Sequence, residues 1–137
     1  MRRKPITRPG GFTLVEIMIV VGLVALLAAI ALPSFQRARK RSQAVHILED
    51  LRIIDAAIDQ YAIETNKAGS SSVGWNDVKT YVKTGSRLYN SNATDLIGNY
   101  FFGGVIEQGV RISTASYDAL SDVAPLEFWS PYGVEGL

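Results

Sequence analysis

Between Ile17 and Leu32 the chain has no charged or strongly polar residue, and only Gly22 interrupts the apolar run. Counted from Phe12 the stretch is 21 residues, about 31 Å as a helix at ~1.5 Å per residue. That matches a bilayer hydrocarbon core of ~30 Å. Leu, Ile, Val, Met and Ala favour helix, and no proline falls inside the run before Pro33. Apolar residues fill 19 of the 24 positions from Phe12 to Phe35, against 47% of the whole chain, so the sequence reads as an ordinary small domain with a membrane-spanning rod at its N-terminal side.

Three readings of the rod compete. It is a plain anchor, or a secretory signal peptide with Arg2, Arg3 and Lys4 ahead of it and Ala29-Ile30-Ala31 as the cleavage site. Against the signal peptide, the run exceeds the ~7–15 residues of such a segment. Glu16 also sits inside it, and Pro33 falls just beyond the cut. The third reading starts from Glu16. A carboxylate within a membrane helix costs ~2.5–3.5 kcal/mol at mid-helix and less near the interface. Such a residue is a functional candidate, with a snorkelling or protonated side chain as the plainer alternative.

Gly10-Gly11-Phe12-Thr13-Leu14-Val15-Glu16-Ile17-Met18-Ile19-Val20-Val21, preceded by Arg2, Arg3, Lys4 and Arg8, resembles the type IV prepilin signal. The likeness continues from Leu26 to Phe35 and covers about a quarter of the chain. It implies a leader at 1–11, removed by prepilin peptidase between Gly11 and Phe12, with N-methylation of Phe12. Glu16 would then be the fifth mature residue, acting in assembly, and Pro33 the twenty-second, kinking the helix. Residues 12–33 would be both the transmembrane and the filament-core helix. Family members often carry glycine at the fourteenth mature position, where this chain has Ala25. Alanine favours helix by ~1 kcal/mol over glycine, which argues against melting there. Four basic residues precede the span and four follow it (Arg37, Arg39, Lys40, Arg41), so the positive-inside rule gives a tie. The resemblance breaks it, because the peptidase acts on a cytoplasmic leader.

Beyond Pro33, at 34–137, the chain reads as an amphipathic helix plus a small α+β head. Ile47, Leu51, Ile54, Ile58 and Tyr61 form one helical stripe, with Glu49, Arg52, Asp59 and Gln60 opposite. The helix is expected to reach about Glu64 and to break at Gly69–Gly74. A short helix from Trp75 to Lys83 capped by Asn76, strands at Tyr100–Phe102, Val105–Ile106 and Val110–Ser113, and a bulge or bend at Gly103-Gly104 follow. Leu126, Phe128, Trp129 and Tyr132 would close an antiparallel sheet against the stripe. Asp95-Leu96-Ile97-Gly98-Asn99-Tyr100 is similar to a turn region of the major pseudopilins of type II secretion, although a Gly-Asn turn is common in itself.

Composition narrows the chemistry. The 14 basic and 13 acidic residues nearly cancel, which argues against nucleic-acid binding by bulk charge. The chain has no cysteine and one histidine, His46, which excludes disulfides, thiolate metal sites and a multi-histidine cluster within one chain. His46 has only Glu49 and Asp50 at helical spacing and reads as a surface residue. No carboxylate pair or glycine-rich phosphate loop points to catalysis, so the chain is not expected to be an enzyme. Asn92-Ala93-Thr94 fits a glycosylation sequon and reads as loop. Related pseudopilins bind calcium in a C-terminal loop, and Ser116, Asp118, Ser121 and Asp122 offer hard oxygen ligands, with Asp118 and Asp122 the candidate pair. Arg37, Arg39, Lys40 and Arg41 would meet lipid headgroups, acidic groups of neighbouring subunits, or solvent.

The resemblance implies a type II secretion pseudopilus subunit with its N-terminus in the cytoplasm and its head in the periplasm. It would span the bacterial inner membrane once and then enter a periplasmic or surface filament. Its partners would be copies of itself, other pilin-like subunits, prepilin peptidase, the assembly platform and the bilayer. A type IV pilus subunit is the alternative within the class. A signal-anchored binding protein that never polymerises is the alternative outside it.

Overall fold

The computed structural model describes residues 10–101 and 104–137. Most of the expected leader, Phe102 of the first expected strand, and Gly103 lie outside the described residues. The chain divides into two compact units, one ending at Gln36 and one running from Arg37 to Leu137. Helix α1, Leu14–Thr65, contributes to both.

In the first unit α1 meets the expectation of a single apolar helix long enough to cross a membrane. Its large side chains, from Leu14 to Leu32, are exposed. The helix runs through Pro33, where the ring removes the N–H that would bond the carbonyl of Ala29. One residue on, the Ser34 hydroxyl donates to the Ala31 carbonyl at 2.9 Å.

In the second unit the periodicity read from sequence is the core. Ile47, Leu51, Ile54, Ile58 and Tyr61 are buried, joined by Ala44 and Ala57 on the same face. Trp75, Val78, Leu88, Phe101, Ile112, Leu120 and Trp129 pack with them in one apolar cluster. The Trp129 indole N–H is satisfied by the Ala124 carbonyl at 3.1 Å. Helix α1 ends one residue past the expected position. Asn66 takes a left-handed conformation at φ 48°, and the Lys67 amide caps the Ala62 carbonyl at 3.3 Å.

The expected antiparallel sheet is not seen. Among the described residues extended pairing is limited to three isolated bridges: Ser72 with Val105 and Thr94 with Tyr100, both antiparallel, and Ile112 with Val134, parallel. Local chemistry interrupts each expected strand. Ile106–Gln108 coil into a 3-10 turn, and Gly109 leaves it at φ 61°, a conformation that side chains disfavour. The run from Val110 ends at Ser113, whose hydroxyl accepts the Ser116 amide at 3.2 Å and so starts helix α4, Thr114–Leu120. Short helices replace strands elsewhere: α2, Trp75–Val78, continues as a 3-10 turn over Lys79–Tyr81, and α3 is Arg87–Asn90. The cap of α2 is Gly74 rather than Asn76, with the Asp77 carboxylate accepting the Gly74 amide at 2.8 Å.

Candidate functional site

The segment singled out by sequence lies at the start of α1. Gly10 to Thr13 are outside the helix, and Phe12 is 85% exposed. Glu16 does not project alone. Its Oε2 accepts the Thr13 amide at 2.8 Å and the Thr13 hydroxyl at 2.9 Å. In return the Glu16 amide donates to Thr13 Oγ1 at 3.2 Å. This is a reciprocal capping box, which satisfies donors that a helix start leaves without partners. Sequence reasoning missed it, although Thr13-Leu14-Val15-Glu16 ahead of an apolar run is its signature. Chemically, the box holds a carboxylate one residue from the Gly11–Phe12 peptide bond in sequence and against the first turn in space.

A second polar arrangement ties the head together. Arg87 pairs with Asp50 on α1 and donates to the Thr94 carbonyl at 3.1 Å. Asp50 is almost wholly buried. Burial lowers the affinity of Arg87 for its proton, and the nearby Asp95 opposes that effect. Asp95, buried as well, accepts the amides of Ile97, Gly98 and Asn99 at 2.8–2.9 Å. It also receives the Ser116 hydroxyl. Asn99 donates to the Ser116 oxygen at 2.9 Å. The Asp95–Tyr100 motif is therefore an anchored turn, with Gly98 at φ 102° where a side chain would be strained.

The remaining candidates are dispersed. His46 meets Glu49 at 3.4 Å, both more than half exposed, a contact worth little in water. The stretch offered for calcium is not a loop. Ser116 lies inside α4 and is spent on Asp95, Asp118 is exposed, and both oxygens of Asp122 take the Lys40 ammonium at 3.0 and 3.1 Å. Among the described residues no group of three or more His, Cys, Asp or Glu could hold a metal ion. The basic cluster divides as well. Lys40 and Arg41 are fastened to the head, Arg41 through the Val123 carbonyl at 3.4 Å and the Phe128 ring face at 6.0 Å. Arg37 and Arg39 are exposed.

A cleft of about 390 Å³ opens between α1 and the 106–110 and 131–133 segments, with Asp55, Asp59, Glu107 and Tyr132 on its walls. Burial, and then the neighbouring Asp59 charge, raises the proton affinity of Asp55. Tyr132 is shifted up by burial first and by Asp55 next.

Residues 7–32 match the prokaryotic N-terminal methylation motif. The chain is 36% identical over 84 residues to the type IV major fimbrial protein FimA of Dichelobacter nodosus, covering 61% of this chain and 49% of that protein. A fimbrial protein of Pseudomonas aeruginosa is 36% identical over 62 residues, 45% of this chain and 40% of that one. The type II secretion system core protein G of Pectobacterium carotovorum subsp. carotovorum is 28% identical over 67 residues, 49% and 43% respectively. The chain thus spans about half the length of the curated relatives it matches. No solved structure gives a significant match. With the methylation motif over its capped helix start and relatives among both fimbrial and secretion proteins, the chain is a type IV pilin-like protein.

Proposed function

We propose that this chain is the structural subunit of a pilin-like filament. It waits in the bacterial inner membrane with its N-terminus in the cytoplasm and its head in the periplasm. Prepilin peptidase cuts between Gly11 and Phe12 and the new amine is N-methylated. The chain then leaves the bilayer as its stem joins those of other copies on an assembly platform. The exposed apolar face of Leu14–Leu32 carries this reading. Those side chains need a non-aqueous surrounding, and either lipid or identical stems supply it. Removing the leader strips four basic side chains and leaves 10 basic against 13 acidic. Pro33, without an amide donor, is where the stem bends as it packs.

Glu16 is the assembly residue. Cleavage places a cationic amine on Phe12, and a carboxylate at the head of a neighbouring stem is its natural partner where the dielectric is low. The capping box keeps that carboxylate hydrogen-bonded until an amine arrives.

The filament is a type II secretion pseudopilus in our preferred reading, supported by the absence of cysteine and the Asp95 turn that resembles the major pseudopilins. The similarity to FimA favours a type IV pilus as the second reading. Overproduction followed by shearing tests the filament: sheared material should contain polymer of this chain, and its absence in cells that make and process the chain refutes the proposal. Deleting the chain then separates the two readings, since a secretion defect with intact surface pili supports the first and lost piliation with normal secretion the second.

A further inference from the structure

One face of α1 carries unmatched charge of both signs. Arg37 and Asp55 are 18 residues apart, five turns at 3.6 residues per turn, so they share an azimuth about 27 Å apart along the helix. Arg37 and Arg39 are exposed and in no ion pair, whereas Lys40 is held by Asp122. At the other end Asp55 and Asp59 stand in the cleft with Glu107, and none of the three is in an ion pair among the described residues. Arg52, one turn before Asp55, pairs with neither aspartate. A separation of ~27 Å along one rigid helix is far beyond a side chain's reach, so the two ends cannot neutralise each other within one chain.

We propose that this face docks on a second copy of the chain, with Arg37 and Arg39 of one subunit entering the Asp55–Asp59 cleft of another. The proposal rests on the filament reading. Copies anchored by the same N-terminal stem are parallel, so an axial offset of about 27 Å levels the basic end of one subunit with the acidic end of the next. The cleft suits a long organic cation better than a metal ion, because its carboxylates do not converge into a metal-holding group. Guanidinium matches a carboxylate pair in geometry and gives up its water more readily than ammonium. The mutual repulsion that raises Asp55 in the isolated head is relieved when such a cation enters, so assembly gains from charges that strain the monomer.

Charge reversal in the full-length chain tests the contact, with filament yield as readout and protease resistance of the head as the folding control. Asp55→Lys with Asp59→Lys should cut yield roughly tenfold, and adding Arg37→Glu with Arg39→Glu should restore most of it. If the lysine pair does not fold, Asp55→Asn with Asp59→Asn should still lower the yield while keeping the shape of the cleft. A folded Asn pair assembling at the wild-type level would overturn the proposal. So would a loss that the reversed arginines fail to rescue, since Arg37 and Arg39 would then serve lipid or another protein. Wild-type chains that make no filament at all refute the underlying function instead, and the two failures are told apart by that control.

Discussion

Glu16 illustrates how far single residues could be read. Its position four residues inside an apolar helix marks it as functional by cost alone, but its partner, Thr13, was overlooked because the pattern search looked for charges and a capping hydroxyl has none. Replacing Glu16 with Val should leave cleavage after Gly11 and membrane insertion intact, since hydrophobicity rises and the scissile junction is untouched. Filament formation should fail for want of a carboxylate to meet the incoming amine. Cleavage assays beside filament counts check both halves, and normal filaments from Glu16→Val would return the side chain to a capping role only. In the head, Arg87→Ala strands the buried Asp50 and should cost about 2 kcal/mol, read as a lower melting temperature, with Arg87→Lys in between. Asp55 carries a pH signature. Its proton is held more tightly in the folded head than in the unfolded chain, so its contribution favours the fold below the folded-state titration and is lost as pH rises through it. Asp55→Asn should therefore raise the melting temperature at neutral pH and lose that advantage in acid, and an equal shift at both would contradict the assignment.

At the scale of elements, helices with a strong period were legible and extended segments were not. The Ile47–Tyr61 stripe repeats every three or four residues, and every member is buried. A repeating signal of that length has no competing explanation. Strand assignments at Val105–Ile106 and Val110–Ser113 rested on two to four residues each, and there local hydrogen bonding prevailed. Ser113 is a helix cap, Ile106 starts a 3-10 turn, and Asp95 draws three consecutive amides into a turn. The Ser116–Asp122 stretch read as loop for the same reason, its capping serine going unnoticed. Leu51 is fully buried at the centre of the stripe. Leu51→Ala should cost ~2–5 kcal/mol. Leu51→Asp should unfold the head, because an unpartnered buried charge exceeds what a small domain has to spare. Urea melts of a fragment beginning at Ser34 measure both, and an unchanged midpoint for Leu51→Asp would mean that the wrong face was assigned to the core.

The whole molecule joins a stem whose apolar surface requires lipid or its own copies to a head with a complete apolar core of its own. That division was visible in the residues from Phe12 to Phe35 alone, because hydrophobic run length is set by membrane thickness rather than by any fold. What the run could not distinguish was anchor, signal peptide or filament stem, since all three are apolar helices. The motif at residues 7–32 separates them by where the chain is cut. Mass spectrometry of the mature N-terminus in its native host therefore tests the account most directly. The account predicts a chain beginning at N-methylated Phe12. A chain beginning at Leu32 would mean ordinary signal-peptidase processing, and an intact Met1 would mean a plain anchor; either result contradicts the filament subunit.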